Sequence, residues 1–128
     1  DRFFVPHSRH TGLNLKDLAA VPALRVLASG RRTGPFLLST ENGRQIFVTG
    51  HPEYDLFTLD AEYRRDLEKG LEISVPENYY PSDDPAQRPI NRWRSHAHLL
   101  YHNWLNYYVY QTTPYDLEEL SPLAGEPR

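Results

Sequence analysis

His51 and Glu53 are the residues whose types and spacing most directly suggest chemistry. They lie in the stretch Gln45-Ile46-Phe47-Val48-Thr49-Gly50-His51-Pro52-Glu53-Tyr54-Asp55. An imidazole can move a proton near neutral pH, and a nearby carboxylate can fix its tautomer and stabilise the imidazolium. In extended chain, residues two apart point to the same side. Pro52 locks its own φ and biases His51 toward extended backbone. Gly50 allows a sharp exit from the preceding segment. The spacing therefore predicts a base and its orienting carboxylate on one side of a stiff segment. The simpler alternative is a capped turn in which Glu53 bonds only the backbone of the following helix.

Three further groups have chemical potential. The loop Pro6-His7-Ser8-Arg9-His10 offers a hydroxyl, two imidazoles and a guanidinium. It could bind an anion or supply a nucleophile, or be a solvated loop. Arg65 lies on the helix predicted after the His51 loop. Its planar guanidinium could clamp a carboxylate with two bonds, or it could pair with Glu62 or Asp66 on the helix surface. His98 and His102 have the four-residue spacing of a ligand pair, with His96 close by. No carboxylate-rich partner segment follows them and no His-Glu-x-x-His pattern is present, so no metal site is expected.

The elements that must position these residues can be read from periodicity. Phe3 to Val5 is a short apolar piece. Asn14 is a candidate cap for a short helix through Ala20. Leu24 to Ala28 and Pro35 to Ser39 read as strands, separated by the turn cluster Gly30-Arg31-Arg32-Thr33-Gly34. Glu41-Asn42-Gly43 predicts a hairpin turn into a third strand over 44–49. In that strand Ile46, Phe47 and Val48 are expected to be buried. Three short strands in succession predict an antiparallel or mixed sheet.

After the His51 loop the period becomes helical. Leu56, Leu59, Tyr63 and Leu67 form one stripe, with Thr58 or Asp55 as cap and Gly70 as stop. Residues 71–91 are proline-rich and polar, which predicts a long irregular loop. Trp93 to Tyr110 is the longest helix candidate, with Trp93, Ala97, Leu100, Trp104 and Tyr108 on one face. Residues 115–128 are expected to be a loosely packed or disordered tail.

Composition narrows the function classes. The chain has 128 residues, enough for one domain with a real core. Lys and Arg total 14 against 17 Asp and Glu, and no basic run is present. Nucleic acid is therefore not an expected partner. No apolar run approaches the roughly 20 residues of a membrane span, so no membrane partner is expected. The chain contains no cysteine, so it has neither a disulfide nor a thiol nucleophile of its own. That composition suits a cytoplasmic location. It also lacks methionine and opens on an apolar segment, which predicts a piece of a longer protein or a processed chain.

Several blocks together resemble the homoserine O-succinyltransferase and O-acetyltransferase family of methionine biosynthesis. They are Phe4-Val5-Pro6-His7-Ser8-Arg9, Val48 through Asp55, Glu62-Tyr63-Arg64-Arg65-Asp66, Pro76 through Pro81, Trp93-Arg94-Ser95-His96 and Asn103 through Gln111. The likeness runs in collinear order over nearly the whole chain. It implies an α/β fold, with residues 1–128 as the C-terminal part of a flavodoxin-like domain of the class I glutamine amidotransferase type. It also implies a ping-pong acyl transfer, in which a cysteine takes the acyl group from acyl-CoA and homoserine's hydroxyl then attacks the thioester.

On this likeness His51 is the base, Glu53 completes the triad, and Ser8 and Arg65 bind homoserine. Acyl-CoA is a co-substrate and no other cofactor is implied. The nucleophilic cysteine and a substrate-binding lysine belong to the family's N-terminal portion, which becomes the implied partner of this chain. A homodimer is also in keeping with the family. Other readings are a serine hydrolase using Ser8, His51 and Glu53, or a non-catalytic assembly fragment docking through the aromatic helix. Glutamine amide hydrolysis shares the fold and triad type but not these blocks.

Overall fold

The computed structural model describes residues 2–112. The tail expected over 115–128 lies outside the described residues. In chain order the elements are α1 (Leu15–Leu18), β1 (Leu24–Gly30), β2 (Gly34–Thr40), β3 (Ile46–Val48), α2 (Thr58–Glu68), a 3-10 turn (Pro81–Asp83), α3 (Arg94–Trp104) and a π-helical turn (Leu105–Tyr110). The fold is thus mixed α/β with a small antiparallel sheet.

The three strands form a meander in the order β1-β2-β3. Leu24 pairs with Thr40 and Gly30 with Gly34, and the register slips around Leu27. Leu37 pairs with Val48 and Ser39 with Ile46. The β2–β3 turn is built by side chains that substitute for ladder bonds. Thr40 Oγ1 donates to Asn42 Oδ1 at 2.8 Å and accepts from the Gln45 N–H at 3.1 Å. Gly43 takes the left-handed backbone that this turn needs, with φ of 69°. β2 is the central strand, and Pro35, Phe36, Leu38 and Ser39 are all buried.

β3 differs from expectation. Phe47 is 44% exposed and Val48 40%. The cause is topological: β3 is an edge strand with one neighbour, and no described element covers it.

A second packed region holds Leu59, Tyr79, Tyr80 and Trp93, with Tyr54, Tyr63 and Val75 against it. Here α2 starts differently from expectation. Its cap position is Phe57, and neither Thr58 nor Asp55 caps it with a side chain. Instead Asp60 N–H donates to the Tyr79 hydroxyl at 3.2 Å, and that hydroxyl donates to Leu56 O. The irregular segment 71–91 is therefore anchored, since its Tyr79 and Tyr80 are core residues that bond the start of α2. Arg64 holds the segment from outside by donating to Asp60 and to Pro85 O.

The long aromatic helix runs as predicted, with its last six residues in wider π turns. Its face is well covered only at the start, although the Tyr108 ring at the far end lies against Gly43 of the β2–β3 turn. Trp93 and Ala97 are buried, whereas Trp104 and Tyr108 are largely exposed.

Candidate active site

The turn at residues 49–54 is held by both packed regions. On one side Thr49 N–H donates to Phe36 O at 2.9 Å and Thr49 Oγ1 to Pro35 O at 2.7 Å. His51 N–H donates to Pro6 O at 2.8 Å, which ties the turn to the N-terminal segment. On the other side Trp93 Nε1 donates to Tyr54 O at 2.9 Å. Tyr54 N–H then closes the turn on His51 O at 3.2 Å.

His51 Nδ1 lies 2.8 Å from Glu53 Oε1. The two-residue spacing does bring the pair together, but through a turn at Pro52 and Glu53 rather than through extended chain. The turn folds the carboxylate back onto the ring. With its proton on Nδ1 the imidazole donates to Glu53 and leaves Nε2 free to accept a proton. The side chains are 35% and 53% exposed. An exposed pair of this kind adds only about 0–1 kcal/mol to stability. Its consequence is orientation of the ring.

Burial pushes the Glu53 carboxyl up, but hydrogen bonds from His51 and the backbone outweigh it. With a smaller contribution from Tyr101, they leave the group below its ordinary value. The Tyr101 hydroxyl, on α3, approaches Glu53 Oε2 at 3.5 Å.

Two more side chains complete the surroundings: Tyr54, to which the sequence assigned no role, and His7, which it offered only as one imidazole of a polar loop. The Tyr54 ring stacks on His51, with centroids 4.3 Å apart and planes 16° from parallel. Its hydroxyl donates to Glu62 Oε1 at 2.9 Å. Burial and the Glu62 carboxylate push the Tyr54 phenol up to about 12. His7 packs against Gly50, where an added Cβ would lie 3.0 Å from two atoms of its ring. Its Nδ1 is buried without a partner among the described residues. Desolvation, helped by Arg9 and His51, lowers its pKa to about 4. The signal for Tyr54 was a ring three residues after a histidine across a proline turn. That for His7 was an imidazole beside a buried Pro-Gly contact, which only coordinates reveal.

The remaining predicted residues are placed as follows. Ser8 is half-buried next to His7, and the described hydrogen bonds of the His51 ring run to Glu53 and not to Ser8. That geometry does not assemble a serine triad. Arg9 donates to Thr49 O at 3.0 Å and to Thr33 O, so much of the polar N-terminal loop is structural. A cleft lined by His7, Arg9, His10 and Arg32 opens beside it.

Arg65 does not reach the His51–Glu53 pair. Its Nε bonds Asp66 Oδ1 at 2.8 Å, and Asp66 raises its pKa. It approaches the site only through its field on Tyr54. His96 stacks on Phe3 at 5.4 Å. Among the described residues no group of three or more His, Cys, Asp or Glu is arranged to hold a metal ion, and no helix is long and apolar enough to cross a membrane.

The site is thus an imidazole–carboxylate pair of the acid–base type, carried on a turn of a mixed α/β scaffold. A family model described as homoserine O-succinyltransferase matches residues 1–115, and the chain belongs to that family. It is 59% identical over 120 residues to a homoserine O-acetyltransferase of Desulfitobacterium hafniense, covering 94% of this chain and 39% of that protein. It is 53% identical over 120 residues to a homoserine O-acetyltransferase of Petrotoga mobilis, with the same coverage of each chain. The match to that of Brevibacillus brevis is 57% over 115 residues, covering 90% of this chain and 38% of the relative. The chain therefore spans about two-fifths of the length of these relatives.

Proposed function

We propose that this chain is the base-bearing part of a homoserine O-acyltransferase of methionine biosynthesis. The observation that carries the reading is the His51–Glu53 pair at 2.8 Å, in a chain so similar to homoserine O-acetyltransferases. The relatives' names favour acetyl as the transferred group, and the family's favours succinyl.

The reaction needs three things. A cysteine thiolate attacks the acyl-CoA thioester, forms an acyl-enzyme and releases CoA thiolate. Homoserine's hydroxyl then attacks that thioester as His51 Nε2 takes its proton. The cysteine leaves as thiolate, and the ester is complete. Glu53 holds the His51 tautomer and stabilises the imidazolium until it gives that proton to solvent, which balances the CoA thiolate released in the first half-reaction. Since this chain has no cysteine, the nucleophile comes from the family's N-terminal portion. That portion also completes a flavodoxin-like sheet, to which the exposed edge of β3 is suited.

Ser8 meets the amino-acid end of homoserine, and Arg65 swings from Asp66 to hold its α-carboxylate with two bonds. Acyl-CoA and homoserine are the small-molecule partners, and the cytoplasm supplies both. The chain alone is inactive on this reading.

The test combines this chain with the cysteine-bearing portion and supplies homoserine with acetyl-CoA or succinyl-CoA. Mass spectrometry should detect one O-acyl-homoserine, and His51→Ala should abolish it with the fold retained. Product from this chain by itself would overturn the division of the triad.

A further inference from the structure

Tyr54 is more firmly fixed than a surface tyrosine has reason to be. Its carbonyl accepts from Trp93 Nε1 at 2.9 Å, and its hydroxyl donates to Glu62 Oε1 at 2.9 Å. The other oxygen of Glu62 is buried and has no partner among the described residues. The bond to Tyr54 is thus the one hydrogen bond this half-buried carboxylate makes among them. The ring so held lies parallel to the His51 imidazole at 4.3 Å. An aromatic face attracts a cation positioned over it, and an accepting carboxylate on the phenol enriches that face further. Glu53 constrains the imidazole only within its own plane, through Nδ1. A stacked ring constrains the tilt that Glu53 leaves open.

We propose that Tyr54 is the positioning residue of the His51 base: pinned by Glu62, its ring fixes the imidazole plane and stabilises the imidazolium formed when the substrate hydroxyl gives up its proton. The proposal rests on His51 being the base of the acyl transfer. No bond is made to Tyr54, and the proton passes from hydroxyl to His51 Nε2.

The groups that face His51 are Glu53 and Tyr54 on its own turn, His7 on the N-terminal segment, Glu62 and Arg65 through Tyr54 on α2, and Tyr101 through Glu53 on α3. Within a series of phenylalanines at position 54, which all lack the bond to Glu62, a change confined to the π density alters none of the others.

The experiment uses the complete enzyme, this chain with the cysteine-bearing portion. Position 54 is replaced by Phe, by Leu and by a series of increasingly fluorinated phenylalanines. Tyr54→Phe should keep kcat within about threefold of wild type. Tyr54→Leu should lower it by about tenfold at unchanged homoserine KM. The acid limb of the kcat/KM profile should move to lower pH by about half a unit, the size of a cation–π contribution. The fluorinated series keeps shape while draining π density, and the limb should move stepwise with it. Phe and Leu both lose the bond to Glu62, so a fall in Tm common to them reports that bond and not the stack.

A limb that stays in place across the fluorinated series would overturn the proposal, as would Phe and Leu with equal kcat. NMR titration of the His51 ring in the same proteins separates the two readings. If the wild-type enzyme fails to acylate homoserine but the His51 titration still follows fluorination, the function is wrong and the stacking role stands.

Discussion

Replacing Gly50 with alanine puts the architecture of the turn to a test whose sign is informative. Gly34, Gly43 and Gly70 take positive φ, and Gly50 does not. Its backbone is one that alanine can adopt. On conformational entropy alone, Gly50→Ala should stabilise by about 0.4–1 kcal/mol. Its surroundings reverse that expectation. The new Cβ would lie 3.0 Å from His7 Cε1, 3.0 Å from His7 Nε2 and 3.0 Å from Pro6 O. One of these neighbours is backbone, and the other is a ring packed on Phe36. Overpacking of this kind costs about 1–3 kcal/mol.

Pro6 O also accepts the His51 N–H at 2.8 Å, so pushing the segments apart weakens a bond worth about 0.5–1.5 kcal/mol net. The costs exceed the gain, for a net loss of about 1–3 kcal/mol. The displaced peptide is the one that carries His51, so on the proposed function kcat of the complete enzyme should fall by about tenfold, equivalent to roughly 1.4 kcal/mol. Urea unfolding and steady-state kinetics of the complete enzyme carrying Gly50→Ala, His7→Ala or both form a cycle. Removing the His7 ring should recover part of the Gly50→Ala loss, with a coupling of about 1 kcal/mol. A Gly50→Ala protein as stable as wild type, or a cycle with no coupling, would refute the close-approach argument.

Other outcomes follow from the same geometry. His7 has a folded pKa of about 4 against an ordinary 6.5, so its stabilising neutral form is fully effective above pH 6.5 and is lost as pH falls toward 4. The ring is only half-buried, which reduces the effect to about 1–2 kcal/mol. Urea midpoints at pH 7.5 and 5 should diverge in wild type, and that part of the divergence should be absent in His7→Gln. Tyr80 is 1% exposed and donates to Asp60 Oδ1 at 2.6 Å. Tyr80→Phe should cost about 1.5–3 kcal/mol in urea unfolding, as expected for a bond to a charged acceptor. On the proposed function Glu53→Gln should reduce kcat of the complete enzyme by up to roughly 10⁴-fold, through the wrong His51 tautomer, with little change in Tm because the pair adds little stability. If Arg65 holds homoserine as proposed, Arg65→Lys in the complete enzyme should raise the homoserine KM with kcat nearly kept, since lysine lacks the planar fork. An unchanged KM would remove Arg65 from substrate binding.

The sheet and both long helices were legible because their signals are local. Asn42-Gly43 marks the hairpin between β2 and β3, and the spacing of Leu59 and Tyr63 marks α2. The pairing of His51 with Glu53 was legible for the same reason, since two residues separate them in sequence. The conformation that pairs them was not, because a turn and an extended segment can both follow Gly-His-Pro. Burial was harder still. Ile46-Phe47-Val48 reads as a core strand, but a strand's cover depends on neighbours that pattern does not specify. Tyr79 and Tyr80 lie in a proline-rich stretch that reads as loop, and they are core because their hydroxyls bond the first turn of α2. Tyr54 stacks on a residue three positions away, but its fixing partners Glu62 and Trp93, like the Gly50 contact of His7, come together only through tertiary packing.

The division of labour around His51 has a physical basis. A carboxylate this exposed cannot hold an imidazole by electrostatics alone, because solvent screens the pair. The rigidity comes instead from two packed regions that grip the two ends of one turn. The region around Phe36 grips it through Pro6 O and the His7 ring, at Gly50 and His51. The aromatic cluster grips it through Trp93 Nε1 and the stack, at Tyr54. Neither region contains both members of the pair. On the proposed function, a substitution that loosens either cluster should therefore lower kcat of the complete enzyme before it unfolds the protein. Substitutions in opposite clusters should couple in kcat while remaining additive in stability, because the turn is what they share. Additive effects on kcat would mean that the turn holds its own shape and that the two grips are incidental to it.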